Sequence, residues 1–184
     1  MDKRIERTHR EVRRAAIALL GERGYAAFNM EAVAEKAGVS KSTLYRHWPT
    51  KLSLIADALE VLNEQPRPIP SHGNVRQRSC ELLRHLAEAL ATSQFSACIP
   101  ALIEASERHA EVADFLHAYS ARRRNTLVDT LCDGVAAGEL PASFDTEMAA
   151  LALSGAIFYR RSMTAEPFAA EDVPALVALV LGPE

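Results

Sequence analysis

Within seven positions the chain places Lys41, Ser42, Thr43, Tyr45, Arg46 and His47, and Lys51 follows four residues later. These are hydrogen-bond donors, most of them cationic or able to become so. Lysine and arginine reach guanine edges or phosphates, a threonine methyl suits thymine, and a tyrosine hydroxyl donates to a phosphate oxygen. Seven helical residues span about 10 Å, which fits a B-DNA major groove roughly 12 Å wide. The chemistry is recognition of a polyanion. No nucleophile elbow, phosphate-cradling glycine loop or paired-carboxylate arrangement accompanies it, so the sequence reads as a non-enzyme without a cofactor.

The neighbouring residues are those needed to present such a cluster. Asn29 can cap a helix over 30–37, Gly38 supplies the positive φ of a tight turn, and Ser40 can cap a second helix over 41–47, ended by Trp48-Pro49. Ala34 is small where two helices cross, and Val33, Val39, Leu44 and Trp48 supply the contacts between them. This is a helix-turn-helix pattern. Before it, Ile5, Val12, Ala16, Leu19 and Leu20 mark a first helix from Lys3 to Arg23, with Lys3, Arg7, Arg10 and Arg14 as a basic stripe and Gly24 as its stop. After it, Thr50 can cap a fourth helix, at whose start Lys51 adds charge to an N-terminal anion site.

The 184 residues are 48% hydrophobic and 24% charged, enough for a core without disulfides or metal. The net charge of −3 conceals a split: residues 1–52 carry +5 and residues 53–184 carry −8. A basic module attached to an acidic body is implied. Ala and Leu number 53 against 26 Val, Ile and Thr, which predicts an all-α fold. Three separated cysteines, Cys80, Cys98 and Cys132, fit a reducing compartment, with Cys98 and Cys132 read as packed small side chains. No metal-ligand spacing is present, and the longest apolar stretch, 148–159, is too short for a bilayer. The reading is of a soluble, cytoplasmic protein.

Three prolines in QPRPIPSHG mark a connector over 65–73. Periodicity then predicts helices over about 75–93, 95–108 (kinked by Pro100), 111–138, 146–163 and 172–181, about nine in all. The expected organisation is a three-helix DNA-binding domain over 1–50 and a helical effector-binding and dimerisation domain over 51–184. Within the latter, helix 51–63 is the connecting element and the expected path between the two domains.

The run Gly38-Val-Ser-Lys-Ser-Thr-Leu-Tyr-Arg-His-Trp-Pro-Thr-Lys51, preceded by Met30-Glu-Ala-Val-Ala-Glu-Lys-Ala37 and Gly21-Glu-Arg-Gly-Tyr25, closely resembles the DNA-binding domain of TetR-family transcriptional repressors. The resemblance covers about residues 8–58. It implies base or backbone contacts from Lys41, Ser42 and Thr43, phosphate contacts from Tyr45, His47 and Lys51, and contacts from the start of helix two at Asn29 and Met30. Met30 has no side-chain donor, so its contact falls to the backbone amide.

The resemblance also implies a homodimer whose last two helices pack on their mates as a four-helix bundle. Met148, Leu151, Ala152, Gly155, Phe158 and Tyr159 on one helix, and Val173, Leu176, Val177, Val180 and Leu181 on the other, are the stripes that would meet. A two-fold dimer with one recognition helix per subunit calls for a palindromic operator. For a ligand, Phe95, Cys98, Ile99, Leu102, Phe115, Tyr119 and Phe158 offer aromatic and aliphatic lining for a small apolar or aromatic effector. Two readings stay open, a repressor released by such an effector and a dimeric DNA-binding regulator, partner-controlled or activating, that uses none.

Overall fold

The alanine- and leucine-rich composition appears as nine α-helices and no strand among the described residues of the computed structural model, which are 3–62, 70–92 and 94–182. The first five residues of the expected connector, 65–69, lie outside them. In chain order the helices are α1 Lys3–Ala27, α2 Met30–Ala37, α3 Lys41–His47, α4 Lys51–Leu62, α5 Val75–Thr92, α6 Ile99–Ser106, α7 Ala110–Ala136, α8 Thr146–Met163 and α9 Val173–Leu181.

The local signals act where they stand. Gly24, at φ 72° and ψ 172°, breaks α1. The Asn29 carboxamide caps α2 by accepting from the Ala32 N–H at 2.7 Å, and Asp145 caps α8 through the Met148 N–H at 2.9 Å. Thr50 and Ser53 exchange side-chain and backbone bonds of 3.0 and 3.1 Å, closing the start of α4. Pro100 does not kink a helix. It occupies the first turn of α6, where no N–H is needed, directly after a 3-10 turn over Gln94–Cys98.

The chain forms two compact units that interleave in sequence: Met1–Gln65 with Gln94–His117, and Pro66–Ser93 with Ala118–Glu184. The first is organised on α1, which packs against α2, α4, α6 and the 3-10 turn. Val12, Ala16, Leu19 and Leu20 of α1 are buried, as are Val33, Leu44, Leu54, Ile55 and Leu59 from the other helices of that unit. Ile5 departs from the expected core face, being 46% exposed. Residues 94–117, expected within the second domain, group with the first unit, where the 3-10 turn and α6 pack on α1 and the Cys98 thiol donates to the Ile17 carbonyl at 3.3 Å.

In the second unit α5 packs against both α8 and α9. Their buried faces are Leu83, Ala87 and Leu90, then Ala150, Leu153 and Ile157, then Val173, Val177 and Leu181. The end of α7 closes on the start of α5. The Glu139 carboxylate accepts from the Val75 N–H at 2.6 Å, and a Cβ on Gly134 would stand 2.5 Å from the Val75 side chain. No single helix among the described residues is long and apolar enough to cross a membrane.

Candidate nucleic-acid interface

Every residue of this candidate site belongs to the first unit, and its geometry begins with what holds α3 in place. Leu44 is fully buried, and Trp48, in the cap position after α3, is 6% exposed. Gly38 adopts the left-handed conformation (φ 68°, ψ 32°), and its N–H returns to the carbonyls of Ala34 and Glu35. The outer face of α3 follows from these anchors: Lys41, Ser42, Tyr45, Arg46 and His47 are exposed and Thr43 is half-buried.

One carboxylate, unforeseen from sequence, connects three elements. Asp57 on α4 accepts from Arg13 of α1 through Nε at 2.8 Å and Nη2 at 3.2 Å, and from the Trp48 indole Nε1 at 2.7 Å. The forked Arg13 contact is charge-assisted and fixes direction as well as distance. The available signal was a lone acid beside the buried pair Ala58 and Leu59, three residues after Leu54. It points toward the core of that unit, where a charge needs a partner.

Histidines extend the support. His9 meets His47 at 4.5 Å between ring centroids and Trp48 at 4.9 Å, both edge to face. Its Nε2 is buried with no hydrogen-bond partner among the described residues. Burial, then the neighbouring His47 and Arg13, hold the His9 pKa below its ordinary value of 6.5, with Asp57 opposing them.

On the outer face, the Ser40 hydroxyl accepts from the Thr43 N–H at 3.1 Å and is linked to the Ser42 and Thr43 hydroxyls at 3.0 and 2.8 Å. The Thr43 methyl is thus the part of that side chain not committed to hydrogen bonding. Tyr45 donates to the Glu31 carboxylate at 3.3 Å, and the Lys41 ammonium stands 3.8 Å from the same oxygen. Desolvation and Glu31 push the Tyr45 hydroxyl above its ordinary range, so it remains a donor. Met30 is 5% exposed, a core residue, which leaves its backbone amide as the part a phosphate could use.

Lys51 is half-buried. Its ammonium lies 3.9 Å from the centroid of the Tyr25 ring and donates to the Tyr25 carbonyl at 3.3 Å. The Tyr25 ring also meets that of His109, at 5.3 Å between centroids, one residue before α7. Tyr25 thus links Lys51, the first residue of the expected connecting helix 51–63, to the residue before α7, and α6 packs on α1 beside them.

The seven residues expected to line a ligand pocket are divided between the two units. Cys98 and Leu102 are buried in the first unit, Ile99 and Phe115 are half-buried there, and Phe95 has a side chain outside the described residues. Tyr119 is buried in the second unit, where Arg123 lies over its ring, and Phe158 is 37% exposed on α8. Burial pushes the Cys98 thiol up to about 11, as befits a packed side chain. Cys132, expected to be packed, is exposed and beside the Thr146 hydroxyl at 3.4 Å. A cleft in the second unit is lined by Asn74, Val75, Arg76 and Glu139. No group of three His, Cys, Asp or Glu among the described residues could hold a metal.

Family models place this geometry. Residues 12–58 match the bacterial regulatory proteins of the tetR family, and residues 69–180 match the tetracyclin repressor-like C-terminal domain. The chain belongs to the TetR family. The HTH-type transcriptional regulator YdeS of Bacillus subtilis is 32% identical over 164 residues, covering 89% of this chain and 82% of its own. The crystal structure of the TetR family transcription regulator SCO0332 superposes with a TM-score of 0.73 at 30% identity, covering 95% of this chain and 96% of that one. AibR, solved in complex with isovaleryl coenzyme A and operator DNA, shares the fold with a TM-score of 0.70 at 18% identity, over 96% of this chain and 100% of its own. This TetR-family chain is a DNA-binding transcriptional regulator of helix-turn-helix type, and not an enzyme.

Two variants test the support of α3. Asp57→Ala leaves a half-buried guanidinium and an indole N–H without their acceptor and should lower unfolding free energy by about 2–4 kcal/mol in urea titrations. His9 has a folded pKa below its unfolded value, so the unfolded chain binds the proton first. Stability should therefore fall as pH drops below about 6.5 and continue falling until the folded form is also protonated. His9→Gln should flatten that part of the urea midpoint against pH curve relative to the parent protein.

Proposed function

We propose that the protein is a homodimeric repressor that binds a palindromic operator through α3 and is released from it by a small hydrophobic effector. The observation that carries the DNA reading is the exposed face of Lys41, Tyr45, Arg46 and His47, with half-buried Thr43 beside it, on a helix anchored by Leu44 and Trp48. Asn29, Ser42 and Lys51 flank it. Such a repressor works where the chromosome is, in the cytoplasm.

Dimerisation is supported by α8, which has two apolar faces. One is buried in its own unit; the other exposes Met148 at 61%, Leu151 at 48% and Tyr159 at 64%, with Phe158 and Met163 beside them. A Cβ on Gly155 would meet nothing within 4 Å, leaving room for a second backbone. On α9 the division is narrower than the sequence suggested: Val173, Val177 and Leu181 serve the core, while Leu176 and Val180 are half-buried and Leu179 is 81% exposed. The meeting surface proposed for α9 is therefore Leu176, Leu179 and Val180.

Repression and release draw support from the match of residues 69–180 to a tetracyclin repressor-like domain. The same fold in AibR carries isovaleryl coenzyme A and operator DNA.

The test begins with duplexes enriched from a random pool by the protein. They should be palindromic, and about eight phosphate-range charges per dimer should yield a log-log salt slope of roughly −7. Lys51→Ala and Tyr45→Phe should weaken all duplexes alike, whereas Thr43→Ala should relax preference at one base pair by about 1–3 kcal/mol. Leu151→Glu should sediment as a monomer and lose the palindrome. No preference over random duplex would overturn the reading.

Release is tested by linkage. An effector coupled by about 1–3 kcal/mol changes operator affinity about 5- to 150-fold, and operator must weaken the effector by the same factor. Equal effector dissociation constants with and without operator would favour the regulator that uses no effector.

A further inference from the structure

The Glu31 carboxylate lies at the start of α2 and turns toward α3, where Lys41 and Tyr45 stand one helical turn apart on the face it meets. A single oxygen, Oε1, accepts from the Tyr45 hydroxyl at 3.3 Å and lies 3.8 Å from the Lys41 ammonium. Both are donors that the proposed DNA contact requires. Glu31 is 47% and Lys41 67% exposed at the side chain, so the cluster contributes little to folding.

We propose that Glu31 sets the selectivity of the DNA contact by occupying, in the unbound protein, the place a backbone phosphate takes on Lys41 and Tyr45. This rests on the DNA-binding reading above. The carboxylate acts in two opposite ways. It competes with phosphate for both donors and repels the polyanion, and it also holds the two side chains in a fixed arrangement. On random duplex, where attraction is almost wholly electrostatic, competition dominates and Glu31 weakens binding. On the operator, Lys41 must be placed for a base edge and Tyr45 for the phosphate that sets the register, so the restraint offsets the competition. The net effect is discrimination obtained by penalising the wrong partner more than the right one.

The experiment compares the full-length protein with Glu31→Gln, an exposed and nearly isosteric change, on two labelled duplexes of equal length. One is the duplex enriched from a random pool by the parent protein; the other is its scrambled sequence, both titrated from 50 to 200 mM salt. Glu31→Gln should bind the scrambled duplex about three- to tenfold more tightly near 0.1 M salt, with a steeper salt slope. Operator affinity should change by less than about twofold, so the ratio between the duplexes falls by the same three- to tenfold. Glu31→Asp keeps the charge but withdraws the oxygen by one methylene. It should leave scrambled binding near the parent level while operator binding falls. An equal gain on both duplexes with Glu31→Gln would reduce Glu31 to bulk charge, and an equal loss on both would make it purely structural; either overturns the proposal. If the parent protein itself shows no preference between the duplexes, it is the DNA-binding reading that fails.

Discussion

A half-buried carboxylate, that of Asp57, accepts two bonds from the Arg13 guanidinium and one from the Trp48 indole, and the placement of α3 depends on it. Seven residues make a helix too short to hold its own conformation in water, so the orientation of its donors is supplied from outside. Leu44 provides non-directional burial. Asp57 provides the direction, because a forked guanidinium contact and an indole bond cannot both survive a rotation of the helix end. His9, edge-on to both His47 and Trp48, fills the space beside them with a ring kept largely neutral.

Around that point the first unit is layered on α1. The same helix that supplies Arg13 to the recognition element also receives α6 and the 3-10 turn, with the Cys98 thiol bonded to the Ile17 carbonyl. Tyr25, just past the break at Gly24, touches Lys51 on one side and His109 on the other. Any displacement at the start of α7 therefore meets a residue in contact with Lys51, a lysine proposed to contact DNA. Coupling through packed rings needs two discrete arrangements rather than a continuous wire, and a cation over an aromatic face is a contact that can be made or broken.

Helix α8 carries apolar residues on two faces. Its buried stripe of Ala149, Ala150, Leu153 and Ile157 closes the core of the second unit, and its exposed stripe carries larger apolar groups at the adjacent helical positions. A helix apolar on two faces has a weak amphipathic signature, yet the stripe of Met148, Leu151, Ala152, Gly155, Phe158 and Tyr159 read from the sequence is the exposed one.

What the sequence determined by itself is local. Glycines at the breaks, the Asn29, Ser40, Thr50 and Asp145 caps and alanine-leucine periodicity each act within a few residues, so helix positions were legible to within a few residues at each end. The donor cluster from Lys41 to His47 was legible because one short helix carries it. The partners of those donors were not. Arg13 and Asp57 are 44 residues apart, and Tyr25 and His109 lie on segments no spacing rule connects. The grouping of residues 94–117 with the first unit, and the division of the α9 stripe between core and surface, were likewise decided by packing. Hydrophobic burial is non-directional, and many pairings of apolar stripes satisfy one pattern; only the tertiary structure selects among them, through side-chain volumes and the few charged bonds that must be met inside.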